Sequence, residues 1–216
     1  MRYVSLLLFL CLTVPVAGSA QEATASPNIL LILLDDAGLD AIGPGAEGAV
    51  ATPHIEALAN RGATFTHAFA TPVCTPSRVQ LLTGQYPFRN GVQRNLFTYP
   101  LAEQCVEPPK IHLAGWLAQH GYRTSIAGKW QLCRFEYHQR PNHPQEWGFQ
   151  ESLLWTWRVS GDKKEQKKSR YWAPSLWPHG GPSHTGSNKE FGPDLYLEHL
   201  LKTIESSRSG LITYSA

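Results

Sequence analysis

The string Cys74-Thr75-Pro76-Ser77-Arg78 places a cysteine two residues before a proline and four before an arginine, at the mouth of a predicted helix. Such a cysteine can be half of a disulfide, a metal thiolate or a chemically converted catalytic residue. Two other segments bear on the choice. Asp35 and Asp36 close a continuous apolar run, and Lys129 closes a second strand-like run, Tyr122–Trp130. Adjacent carboxylates at a strand-to-turn junction often serve local hydrogen bonding only. Beside an arginine and a lysine they gain a second meaning. Hard carboxylate oxygens suit Ca²⁺ or Mg²⁺, and a cation flanked by Arg78 and Lys129 is equipped to grip a tetrahedral oxyanion such as sulfate or phosphate.

These groups need elements to hold them. Ile29–Leu34 is an unbroken apolar run, the pattern of a parallel strand covered on both faces. Residues 52–62 read as a helix with Thr52 as N-cap, Pro53 in its first turn and Gly62 past its end. The alternation in 63–70 predicts a second β segment. The stretch after Cys74 reads as a helix stopping at Gly84, so backbone N–H groups are expected to face the cysteine. Residues 110–121 predict a helix closed by Gly121, 122–130 a strand, 193–206 a final helix, and 209–216 a core strand. The recurring strand–helix–strand order predicts an α/β fold with a mostly parallel central sheet flanked by helices. Ligands in such sheets bind outside the carboxyl ends of the strands. Residues 134–190, rich in Pro, Gly, Trp and charge, are expected to be loop-rich. Within them, 161–170 reads as a solvated basic loop, and Trp155, Trp157, Trp172 and Trp177 as either a sugar-stacking platform or buried anchors.

The formal charge of +2 over 216 residues gives no reason to expect a nucleic-acid partner. Residues 1–20 have a positive start, an apolar stretch and small residues before Gln21. That is the pattern of a cleavable signal peptide, so a secreted or periplasmic protein without a stable membrane anchor is expected. Phe9 and Leu10 are too bulky for Cys11 to be a lipid-attachment site. Removal of that segment leaves Cys74, Cys105 and Cys133. The last two can pair or stay as buried thiols, because spacing does not supply disulfide geometry.

The strings at 27–38, 52–70, 74–92 and 114–130, with Glu146-Trp147-Gly148-Phe149, resemble in order the amino-terminal part of the type I sulfatases of the alkaline phosphatase superfamily. The resemblance implies an alkaline phosphatase-like sulfatase fold, incomplete at the carboxyl end of this sequence, with 21–216 as the N-terminal part of the catalytic domain. It implies that a maturation enzyme reads Cys74, Pro76, Ser77 and Arg78 and oxidises Cys74 to formylglycine. The hydrated aldehyde then attacks sulfur with one hydroxyl, and the other hydroxyl allows collapse and release of sulfate. By the same resemblance Asp35, Asp36 and the converted Cys74 bind Ca²⁺, with Mg²⁺ as the substitute. Arg78 positions the diol, and Lys129 and Gln131 face the sulfate of a small molecule or carbohydrate. Gln131 departs from the family, which has histidine there, and glutamine is no acid or base near neutral pH. The family's Asp-Asn pair, second lysine and leaving-group histidine fall beyond Ala216, so the expectation is the leading portion of a longer sulfatase or a truncated product. Two other readings stay open: a phosphate-ester or phosphodiester hydrolase of the same superfamily, and a noncatalytic secreted fragment that binds anions or carbohydrate.

Overall fold

The computed structural model describes residues 26–38, 40–42, 50–96, 105–134, 140–156, 170–206 and 210–215. The proposed signal peptide, Trp157 and most of the basic run lie outside them. Strands β1 (Ile29–Leu33), β2 (Arg123–Gly128), β3 (Glu151–Trp155), β4 (Ser175–Pro178), β5 (His184–Thr185) and β6 (Gly210–Ser215) form one sheet in the order β1-β6-β2-β3-β4-β5. The first four in that order are parallel, and β4 and β5 run antiparallel at one edge. Leu33 and Gly128 both pair with Ser215. Register therefore brings the carboxyl ends of β1 and β2 level, and with them Asp35 and Lys129.

Helices cover both faces of the sheet. On one face lie α2 (Cys74–Thr83) and α4 (Leu113–Gln119), whose Val79, Leu82, Ala114 and Leu117 pack with Ile126, Trp130, Trp147, Phe149 and Leu154. On the other face α6 (Gly192–Ser206) sets Tyr196 and Leu200 against Ala127, Trp155 and Leu176. The neighbours Ile126 and Ala127 point to opposite clusters, as strand geometry requires. Burial of a side chain such as Leu82 contributes about 1.5–3 kcal/mol, enough for this layer to fix the start of α2. The described residues also form the short helices α1 (Pro53–Arg61), α3 (Pro87–Asn90) and α5 (His143–Glu146). Gly148 explains the Glu-Trp-Gly-Phe string. Its φ is +80°, and a Cβ there would stand 2.3 Å from the backbone nitrogen of Gly115 on α4, so only glycine lets this turn approach the helix.

The α1, α2, α4, α6, β2 and β6 expectations agree with the structure in type and position. Two others are corrected. Among the described residues β1 is not covered on both faces: it pairs with β6 alone, Leu30 and Ile32 are each 55% exposed, and α1 buries no residue. Residues 63–70 form no strand, because their alternating side chains find no sheet neighbour; Phe65 and Phe69 are exposed. The loop-rich region 134–190 also supplies β3, β4, β5 and α5.

The cysteine question also closes. Cys105 and Cys133 form a disulfide, and Cys74 is the free cysteine among the described residues. His143 sits beside the two sulfurs, a grouping compact enough for a metal. Its nitrogens are already engaged, Nδ1 accepting from Trp130 Nε1 at 2.9 Å and Nε2 donating to the Val106 carbonyl at 2.9 Å. The cluster is a structural knot behind β2.

Candidate active site

Cys74 is the first residue of α2, with Val73 as an extended N-cap. Pro76 falls in the first turn, where its missing N–H has no intrahelical partner to lose. Ser77 fixes the approach to the helix: its Oγ donates to the carbonyls of Thr71 or Val73 and shares a 2.5 Å hydrogen bond with Thr71 Oγ1. Gly84, at φ +65°, ends the helix in the left-handed conformation that glycine favours. Cys74 thus stands at the positive end of a ten-residue dipole, facing the carboxyl ends of the strands.

Arg78, one turn on, ties three elements together. It donates from Nη1 to the Lys129 carbonyl at 2.6 Å and from Nη2 to Asp35 Oδ2 at 2.8 Å. Lys129 Nζ donates to the same oxygen at 2.6 Å. All three side chains are nearly buried, at 7% exposure for the two cations and 11% for Asp35. Burial alone would raise the Asp35 carboxyl, but the hydrogen bonds and charges of Lys129 and Arg78 outweigh it and hold the group below the usual carboxylate range. For Arg78, burial works in the lowering direction against the pull of Asp35. Breaking such a buried set by removing one member typically costs about 3–5 kcal/mol. A cavity of about 380 Å³ opens over the cluster, lined by Asp35, Asp36, Cys74, Ser77, Arg78 and Lys129.

Gln131, expected to face the sulfate, does not line this cavity; its backbone φ is +60°, and Asp36 has φ +56°. Positive φ is uncommon outside glycine. Among the described residues only Ala173 shares it, so two of three such positions fall on predicted site residues. Thr75, fully buried, donates to the Gln131 carbonyl at 3.1 Å. Gln131 Nε2 donates to Asn95 Oδ1 at 3.2 Å, and Asn95 Nδ2 donates to Cys74 Sγ at 3.7 Å.

Comparison with known proteins decides the family. The sulfatase family model matches residues 27–204. The chain belongs to the sulfatase family. Mouse steryl-sulfatase (Mus musculus) is 37% identical over 123 residues, covering 53% of this chain and 20% of that protein. The ulvan-active sulfatase of Formosa agariphila is 40% identical over 113 residues, 52% of this chain and 21% of that protein. The N-acetylgalactosamine-6-O-sulfatase of Bacteroides thetaiotaomicron is 41% identical over 113 residues, 51% of this chain and 22% of that protein. The matches span about a fifth of each of these relatives. Among solved structures, BT4656 in complex with its substrate D-glucosamine-2-N,6-O-disulfate superposes with a TM-score of 0.64 at 23% identity, over 88% of this chain and 34% of that one. The PsFucS1 sulfatase from Pseudoalteromonas gives 0.55 at 20%, over 88% and 43%. The expected sulfatase fold is therefore present.

Within this sulfatase chain, Asp35, Asp36, Cys74, Ser77, Arg78 and Lys129 line one cavity, as their positions at strand ends and at the helix start suggested. Pro76, in the first turn of α2, is buried and does not line it. Gln131 joins Cys74 through Asn95. Asn95 went unseen in the sequence, where it sits in a polar turn-like stretch with no periodicity. Trp155 and Trp177 are buried anchors, and the Arg170 guanidinium lies 4.7 Å from the centre of the Trp155 ring. Trp172 is 59% exposed and packs on Phe191.

Proposed function

We propose that this chain carries the sulfate-gripping half of the active site of an exported sulfatase that hydrolyses sulfate esters, with Cys74 as the residue matured to formylglycine. The observation that carries the reading is the meeting of Cys74, Arg78, Lys129, Asp35 and Asp36 in one cavity at the carboxyl ends of β1 and β2. BT4656 is seen in complex with a sulfated sugar, D-glucosamine-2-N,6-O-disulfate; here a sulfated small molecule or carbohydrate is the proposed ligand. The N-terminus of α2 and the two cations favour an oxyanion beside Cys74. Lys129 would leave part of its interaction with Asp35 to bind the sulfate, and Arg78 would hold residue 74 while keeping the ends of β1 and β2 together.

A divalent cation fits the donors in chemistry. Asp35 and Asp36 offer hard carboxylate oxygens, and Lys129 and Arg78, against the effect of burial, favour the ionised form of Asp35. Calcium takes about 6–8 oxygens, so these two carboxylates and the matured residue 74 supply part of its shell, Mg²⁺ being the smaller substitute. When bound, the cation polarises sulfate oxygens and offsets their charge. The Cys105–Cys133 bond and the pattern of residues 1–20 support export into an oxidising compartment. Among the described residues no helix is long and apolar enough to cross a membrane.

The test is mass spectrometry of the tryptic peptide Gly62–Arg78 from protein co-produced with a formylglycine-generating enzyme, together with hydrolysis of an aryl sulfate. Conversion at Cys74, and loss of turnover in Cys74→Ala with the thermal midpoint retained, are expected. An unconverted thiol in an active protein, or wild-type turnover in Cys74→Ala, would sink the reading.

A further inference from the structure

Asn95 is half-buried and makes contacts of two kinds. Its Nδ2 donates to Cys74 Sγ at 3.7 Å, while its Oδ1 accepts from Gln131 Nε2 at 3.2 Å and stands 3.4 Å from Thr75 Oγ1. Thr75 has a single hydroxyl proton, and the Gln131 carbonyl is nearer at 3.1 Å. The chain of donation therefore has a direction: Gln131 gives an N–H to Asn95, and Asn95 gives one to residue 74. A carboxamide is suited to this because it accepts on one atom and donates on the other. Aspartate keeps the acceptor and loses the donor; alanine loses both.

Gln131 is itself fixed at three points. Its backbone is held at φ +60°, its carbonyl takes the Thr75 hydroxyl, and its Nε2 goes to Asn95. Its Oε1, on a residue 8% exposed, is buried with no hydrogen-bond partner. A buried acceptor left open is unusual, and this one belongs to the residue that feeds the donor chain ending at residue 74.

We propose that Asn95 is a positioning residue for the side chain at 74, and that the Asn95–Gln131 amide pair orients the matured residue with two neutral carboxamides where the family resemblance expects one histidine. The proposal rests on the reading of Cys74 as the maturation site. On the matured residue a hydroxyl oxygen replaces sulfur as the acceptor for Asn95 Nδ2. Neither amide gives or takes a proton, so the pair orients and does not act as acid or base.

The experiment uses the full natural protein, co-produced with the maturation enzyme, as wild type, Asn95→Asp, Asn95→Ala, Gln131→Ala and the Asn95→Ala/Gln131→Ala double variant. Conversion of the peptide Gly62–Arg78 is measured first, then kcat and KM on 4-nitrophenyl sulfate at one pH. Both Asn95 variants are expected to lose about tenfold in kcat, the scale of one neutral hydrogen bond, with KM changed less than about twofold. The double variant should fall little below the worse single one, because either change breaks the same chain. Wild-type kcat in Asn95→Asp would reduce Asn95 to a brace for Gln131 and overturn the proposal, as would losses that multiply in the double variant. A readout independent of turnover comes from crystals of the unmatured thiol protein. In Asn95→Asp the Cys74 side chain should spread over more than one rotamer, and a single unchanged rotamer would count against the proposal. If the wild-type peptide stays a thiol and no sulfate ester is cleaved, the reading of Cys74 fails, while the crystals still decide whether Asn95 orders that side chain.

Discussion

Lys129 and Gln131 stand two residues apart at the end of β2, yet they act on the cavity by different physics. Lys129 brings a full charge within 2.6 Å of Asp35 Oδ2 from a side chain 7% exposed. Gln131 brings only neutral hydrogen bonds. Removal of a preorganised charge contact in such a site costs about 3 kcal/mol, so Lys129→Ala is expected to lower kcat/KM by roughly a hundredfold or more. Gln131→Ala is expected to lower it by about tenfold or less. Steady-state kinetics on an aryl sulfate checks the ranking, and equal losses would take the anion-binding role away from Lys129. The contrast also shows what residue types reveal. Lysine at a strand's end beside paired carboxylates announces charge chemistry. Asn95, in a stretch with Asn90, Gly91 and Arg94, looks like an ordinary turn residue, because its function depends on partners 21 and 36 positions away in sequence.

At the scale of elements, legibility follows local chemistry. α1 and α2 could be bounded from sequence because Gly62 and Gly84 end them, and α6 because its apolar residues recur at helical spacing. β3 and β4 could not, since Glu151–Trp155 and Ser175–Pro178 are short and embedded in Pro- and Trp-rich surroundings that mimic loop. Residues 63–70 failed in reverse: alternation marks a strand only where a neighbour accepts it. Two helices are tied down by histidines that sequence did not single out. His199 on α6 meets Ser125 Oγ on β2 at 3.1 Å, and His112 accepts from the Gly115 N–H at 3.2 Å to cap α4. Burial holds both imidazoles below their ordinary value of 6.5, in His199 against the opposing charge of Glu151 and with help from His179 and Lys202. As pH falls below 6.5 the unfolded chain takes up these protons first, so stability declines with falling pH until the folded-state values are passed. The thermal midpoint of the protein should therefore drop between pH 7 and pH 5.5, and His199→Gln should flatten part of that slope, with His112 supplying a remainder. An unchanged slope would remove His199 from the account.

The whole molecule is organised by a pairing that no local signal could announce. The last strand, β6, enters between β1 and β2, so the two ends carrying Asp35 and Lys129 are set level by a segment some eighty residues downstream of β2. Alternation and apolar runs mark strands, but neighbour order is settled by the packing of all layers together. The same holds for the Cys105–Cys133 bond, which spans 28 positions and joins the segment before α4 to the turn beyond β2. That turn is also held by the Val106 N–H on the Leu132 carbonyl at 2.8 Å and by His143 on the Val106 carbonyl. Cys133 lies two residues after Gln131, so this knot sits next to the turn that carries the Asn95–Gln131 contact. In the chain-entropy account, closing a loop of this length removes about 3–4 kcal/mol of freedom from the unfolded chain. A Cys105→Ala/Cys133→Ala protein should then lose about 2–4 kcal/mol in urea unfolding, and its m-value should rise because the unlinked denatured chain exposes more surface. A midpoint shift with m unchanged would place the loss in the native knot, in the packing around Trp130 and His143. No shift at all would mean that the hydrogen bonds of Val106 and His143 hold the turn alone, and that the segment carrying Gln131 stands without its covalent tie.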